Sequence, residues 1–215
     1  MLLTGVGPDR ARRALEARLG AVVGTGSASP SPSLVVSTGF AGALDRSFAR
    51  LSWVTAAKVR GVAAVDLREG PWDVARCEIV TSKELISSST SSASSASFAT
   101  GAEWGVVVDM ESAALAEVAS ARGLPLMVLR LVSDTPDAPL PAFLSPFTSA
   151  LAAEAPVSRL RHAARGLRAA VGDPRGVATL MKEGRGWTRA LREGWSRFAP
   201  LLADPPLERP STSRD

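Results

Sequence analysis

Residues 106–134 read VVVDM ESAALAEVASARG LP LMVLRLV SD, and they decide the fold class. Val106–Met110 is a β-branched run that predicts a buried strand. Glu111–Arg122 carries Ala114, Leu115, Val118 and Ala119 at helical spacing, which predicts a small-residue helix with one packed face. Gly123 ends that helix and Pro125 forbids its continuation. Leu126–Val132 is a second apolar strand, closed by Ser133-Asp134-Thr135-Pro136. Strand, helix and strand with a short return form a βαβ unit. Such crossovers join parallel strands and are nearly always right-handed. The expectation is an α/β fold, a three-layer α/β/α arrangement on a mostly parallel mixed sheet.

Upstream of this unit, Met1–Gly7 (MLLTGVG) reads as a short strand and a Gly-containing turn. Pro8 then takes the first position of a helix over Asp9–Leu19. Gly24–Ser33 is a loop by composition, and Leu34–Ser37 the next apolar strand, running into Thr38-Gly39-Phe40-Ala41-Gly42-Ala43-Leu44-Asp45. Trp53–Ala57, Val62–Val65 and Cys77–Val80 are strand-like, in an order that periodicity does not fix. Ser87–Ser97 is a polar, low-complexity stretch. After Pro141 the pattern is helical, over about 143–153, 157–171 and 187–199. The expected organisation is a core over 1–141, a helical Arg-rich extension over 142–200 and a disordered tail over 201–215.

Composition narrows the function. The chain has 215 residues, 46% of them hydrophobic and 21% charged, which suits one domain with a real core. One cysteine, Cys77, and one histidine, His162, exclude an intramolecular disulfide and a Cys- or His-rich metal site. Both are expected to be structural, since neither has a partner in sequence that would make a nucleophile and base. A single thiol, no basic apolar leader and no apolar span of about 20 residues point to a reducing, cytoplasmic setting. The net charge of +4 is concentrated: ten Lys and Arg fall between Pro156 and Pro200 against three acids. Trp187, Leu191, Trp195 and Phe198 lie on one helical face there, with Arg189, Arg192 and Arg197 off it. An amphipathic helix docked on its own core or on a second subunit accounts for this pattern. A nucleic-acid partner is not expected, and contact with a membrane surface ranks behind docking.

The candidate chemistry is geometric. Met110 and Glu111 stand at the carboxyl end of one expected strand, Ser133 and Asp134 at the end of the next. Parallel strands would bring both acids to the rim where open α/β sheets bind ligands. An ionised Glu111 accepts hydrogen bonds from neighbouring hydroxyls, as on a ribose. A desolvated Asp134 retains a proton and can give it to a leaving nitrogen. Plainer explanations stand beside this one: a helix dipole favours Glu in a first turn, and Asp is a common turn residue before Thr-Pro. Gly5 and Gly7, ahead of a helix, are candidates for holding phosphate, though the sequence has neither a dinucleotide fingerprint nor a P-loop.

These segments resemble a known family. Val107-Val108-Asp109-Met110-Glu111-Ser112-Ala113-Ala114-Leu115-Ala116 is similar to the Met-Glu ribose segment of the purine and uridine phosphorylase superfamily, which includes the methylthioadenosine/S-adenosylhomocysteine nucleosidases. Leu129-Arg130-Leu131-Val132-Ser133-Asp134 resembles its Ser-Asp strand, whose Asp meets purine N7. Ser37-Thr38-Gly39-Phe40-Ala41-Gly42-Ala43-Leu44 resembles its Thr-Gly-x-Ala-Gly-Gly-Leu loop, and Leu2–Gly7 the strand and turn before these. Asp134-Thr-Pro-Asp-Ala-Pro-Leu-Pro141 and the Arg-rich helical segment look most like the hopanoid-associated phosphorylase branch.

The resemblance implies N-ribosidic bond cleavage by phosphorolysis or hydrolysis, phosphate as a co-substrate in the first case, no cofactor or metal, a small nucleoside ligand and a homo-oligomer. It assigns Asp134 to catalysis, and Met110, Glu111, Ser133, Thr38, Gly39, Ala41 and Gly42 to substrate. The phosphate role is left to Gly5 and Gly7. The chain departs from the pattern at 45–61, where relatives have a charged strand, and in the Ser-rich region before Gly101. Relatives also carry an acidic residue, used by nucleosidases to activate water, on a strand upstream of the segment like Leu2–Gly7. Without a counterpart, hydrolysis is expected to suffer more than phosphorolysis. A non-catalytic nucleoside-binding descendant and a basic interaction module remain as alternatives.

Overall fold

Leu126–Asp134 forms strand β5, buried at all nine positions. A strand covered on both faces reads as a continuous apolar run, which is why LMVLRLV was legible as one. The computed structural model describes residues 6–24, 32–71, 73–83, 103–153 and 155–203. The expected strand over Met1–Gly5, most of the Gly24–Ser33 loop, the Ser-rich stretch 87–97, the tail beyond Ala203 and the phosphate role of Gly5 lie outside the described residues.

The other strands are β1 (Val35–Ala43), β2 (Trp53–Val59), β3 (Ala75–Thr81) and β4 (Val106–Asp109). The helices are α1 (Pro8–Gly24), α2 (Ser112–Ala121), α3 (Leu144–Ala152), α4 (Pro156–Gly172) and α5 (Pro174–Ala203). The sheet is mixed and α/β, as expected, and it closes on itself in the order β1-β4-β3-β2-β5. Three pairings are parallel (β1/β5, β2/β3, β3/β4) and two antiparallel (β1/β4, β2/β5).

Closure corrects one expectation. β4 and β5 are not neighbouring parallel strands: β1 stands between them, parallel to β5 and antiparallel to β4. The cause lies in β1, whose register against β5 shifts between Ala41 and Gly42. A bulge bends a strand and sharpens its twist. Past the bend, Gly42 and Ala43 pair with Val108 and Val107, while Gly42 still faces Asp134. The carboxyl end of β5 and the strand leading to Glu111 therefore meet across one glycine rather than side by side.

α2 ends as its sequence dictates. Gly123 takes a positive φ of 62°, and the amides of Gly123 and Leu124 donate to the carbonyls of Ser120 and Ala119. That is a Schellman closure, for which glycine is suited. Ala11, Leu15 and Leu19 of α1 pack on Leu115 and Val118 of α2. Cys77 is fully buried in the main core; burial pushes its thiol up to about 12, so it stays protonated.

The last helix begins at Pro174, well before the expected 187. Asp173 accepts a hydrogen bond from the Gly176 amide at 2.8 Å and so caps the helix, with Pro174 at its first position. The Gly-Asp-Pro that reads as a break is also a start signal. Phe198 on α5 is fully buried and meets Trp53 edge to face at 5.1 Å. Gly194 lies against the same indole: a Cβ there would fall 2.3 Å from the ring. Gly194→Ala gains about 1 kcal/mol in helix propensity but overpacks Trp53. We expect a net loss on the order of 1–2 kcal/mol, read from urea unfolding. A gain in stability would show that α5 does not rest on Trp53.

Candidate functional site

The junction of β1, β4 and β5 opens into a cavity of about 330 Å³. Glu111, Asp134 and Ser133 line it, with Gly42, Phe40 and Trp187. Met110 and Ala41 line it as well, and Leu144 and Thr148 of α3 form part of its wall. Of the residues singled out in sequence, six thus share one cavity. Thr38 instead lines a neighbouring cavity of about 740 Å³, bounded by α1, β1 and α5, which Glu111 also reaches. Gly39 lines neither.

Asp134 is 5% exposed, and its Oδ1 accepts the Ser133 hydroxyl at 2.6 Å. Burial pushes the carboxyl up from its ordinary range; the Ser133 hydrogen bond and then the charge of Arg50 pull the other way, with smaller effect. A Cβ on Gly42 would sit 2.9 Å from the Asp134 carboxylate, so only glycine leaves room for the acid there. Arg50 donates from Nε to the Ser133 carbonyl at 3.1 Å. Its two terminal nitrogens grip Glu183 of α5 at 2.9 and 2.6 Å. The paired fork of Arg and carboxylate is directional as well as charged, and it ties α5 to the end of β5.

Glu111 immediately precedes α2 but makes no side-chain cap on it. Its Oε1 accepts the Gly7 amide at 3.0 Å, ahead of the first turn of α1. The anion held at that helix start is thus Glu111 itself, and the Gly7 amide expected to face phosphate is already engaged. Burial raises the Glu111 carboxyl, with the Asp109 charge adding to it. The Gly7 hydrogen bond and Arg130 oppose the shift.

Asp109 and Arg130 were not singled out by sequence reading, and they form the most buried ion pair described. Arg130 Nη2 lies 2.7 Å from Asp109 Oδ2, with side-chain exposures of 2% and 0%. Arg130 also donates to the hydroxyls of Ser37 at 2.9 Å and Ser112 at 2.8 Å, and to the Leu129 carbonyl. Asp109 further accepts from Thr81 Oγ1 at 2.9 Å and from the Ser112 amide and hydroxyl. The signal was present: an arginine inside a fully apolar strand must have a buried counter-charge. The sequence pattern marks Trp187 as a packing residue. It does pack, 6.2 Å from the Phe40 ring, and in doing so makes an aromatic wall of the cavity. Among the described residues no group of three or more His, Cys, Asp or Glu is placed to hold a metal ion.

Fold and cavity together define an α/β protein with two differently held carboxyls facing one ligand-sized space. Residues 63–165 match the family model of the Phosphorylase superfamily. The match names no branch within the superfamily. No protein of curated function matches the chain. Among solved structures it is similar to the S-adenosylhomocysteine nucleosidase of Streptococcus pyogenes in complex with 5-methylthiotubericidin. The identity is 18%, 76% of each chain is covered and the TM-score is 0.48. It is also similar to Helicobacter pylori MTAN, at 14% identity over 78% of this chain and 77% of that one, with a TM-score of 0.47. A futalosine hydrolase mutant of Helicobacter pylori strain 26695 gives 15%, 60%, 67% and 0.46 for the same four quantities. What those proteins bind is theirs; the chemistry of this cavity rests on its own residues.

Proposed function

We propose that the cavity binds a purine nucleoside, or a 5′-substituted relative, and that the protein breaks its N-ribosidic bond. The observation that carries this reading is that Glu111 and Asp134 line the same cavity while being held by different partners, a backbone amide and a side-chain hydroxyl. Glu111 is fixed by a backbone amide and directs its carboxylate to the ribose hydroxyls. Asp134 has a hydroxyl and a burial-raised affinity for its proton, so it serves as the acid that protonates the departing base. Carboxylate charge beside the ribose stabilises the cationic sugar that forms as the bond breaks. The tilted rings of Phe40 and Trp187 offer an apolar aromatic wall to the base, and a volume of about 330 Å³ suits a compact ligand.

Whether water or phosphate completes the reaction is read by experiment. The full chain is incubated with adenosine, inosine and methylthioadenosine, with and without phosphate, and free base is measured by chromatography. Base released only with phosphate identifies a phosphorylase; base released without it, a nucleosidase. Binding by calorimetry with no base released favours the non-catalytic nucleoside-binding alternative. No binding of any nucleoside would sink the proposal.

A further inference from the structure

The outer face of α4 carries four large apolar side chains in solvent. Val157, Leu160, Leu167 and Val171 are 69%, 73%, 62% and 76% exposed. With Ala164 they repeat at alternating steps of three and four, which places them in one stripe along the helix. The inner face is already used: Gly166 is buried against the Phe147 ring of α3, where a Cβ would come within 3.0 Å. Beside the stripe run Arg161, Arg165 and Arg168, all exposed, and the helix itself contains no acid. Among the described residues none of these three arginines has a carboxylate partner. A continuous apolar strip bordered by unpaired cations is uncommon on a surface that meets only water.

Charge selects the occupant. Two copies meeting through this stripe would bring arginine rows together with no acid between them, and like charges at such a seam disfavour it. A nucleic acid would satisfy the arginines through phosphate but leave four apolar side chains in water. An anionic bilayer answers both features: apolar side chains enter the acyl boundary while guanidinium groups meet headgroup phosphates. We propose that α4 is a docking face for an anionic lipid surface, with Val157, Leu160, Leu167 and Val171 inserted and Arg161, Arg165 and Arg168 at the headgroups. No described helix is long and apolar enough to cross a membrane, so this contact is peripheral. It does not depend on the reaction proposed above.

The test is sedimentation of the full chain with vesicles of phosphatidylcholine mixed with phosphatidylglycerol, and with phosphatidylcholine alone. Binding is expected only to the mixed vesicles, and it should weaken as salt rises. Leu160→Glu with Leu167→Glu, both at exposed positions, should abolish it. Replacing Arg161, Arg165 and Arg168 by Gln should weaken it roughly a hundredfold. The proposal is overturned if mixed vesicles do not bind, or if the double glutamate variant binds them as well as the parent. It is equally overturned if ultracentrifugation shows a dimer that the glutamate variant splits. Binding to duplex DNA that the glutamate variant leaves intact, without vesicle binding, would assign the face to nucleic acid instead.

Discussion

Asp134→Asn should lower nucleoside cleavage by about 10²–10⁴-fold, the range for loss of a positioned general acid, while making the protein more stable at neutral pH. The two effects share a cause. Asn keeps the size of the side chain and can still accept the Ser133 hydroxyl, but it carries no proton to give. Its amide also has no charge to desolvate at a position 5% exposed. The sign follows from the direction of the shift. A carboxyl raised in the folded state holds its proton more tightly there than in the unfolded chain. Its contribution is fully present below the unfolded value and is lost as pH rises through the folded one. The parent should therefore lose stability over that window relative to the variant. Denaturant titrations of both proteins at an acid and a neutral pH, alongside base release, check the pair of effects. Equal stability at both pH values, or retained cleavage, would remove Asp134 from its role.

Arg130→Met should destabilise the fold by about 3–5 kcal/mol, because it leaves the Asp109 charge buried without its partner. It also strips donors from the hydroxyls of Ser37 and Ser112. Arg130→Lys should recover only part of the loss, since one ammonium cannot reproduce the fork that reaches Asp109, Ser37 and Ser112 together. Removing both charges, with Asp109→Leu added to Arg130→Met, should be less damaging than the single change, although Thr81 and the Ser112 amide then lose their acceptor. Shifts in the urea midpoint measure all three. A single variant as stable as the parent would show that the pair does not hold β4 to β5. Arg130 also moderates the charge state of Glu111, so the lysine variant is the one in which to follow affinity for nucleoside.

Much of this architecture can be read from residue order, for identifiable reasons. β5 reads as an apolar run around Arg130 because neighbours cover both of its faces, and α2 announces its end because a left-handed residue is needed at Gly123. The convergence of Glu111 and Asp134 was legible, although the strands that deliver them are separated by β1. What was not legible depends on register. The bulge at Ala41/Gly42, which closes the sheet, is fixed by partners on two other strands rather than by local preference. Gly176, Gly184 and Gly186 dilute the helical period ahead of Trp187, so α5 reads as half its length. Asp109 ends a strand where an acid is unremarkable, and only Arg130 across the barrel gives it meaning.

Trp187 and Phe198 sit on the same helix, one facing the cavity and the other wedged beneath the barrel. Occupancy of the pocket and adhesion of the C-terminal rod are consequently linked quantities. A ligand resting on the indole should slow amide hydrogen exchange along the whole of α5, out to the turn around Phe198. Reciprocally, a lesion at the wedge should be felt as weaker affinity more than ten residues away along the chain.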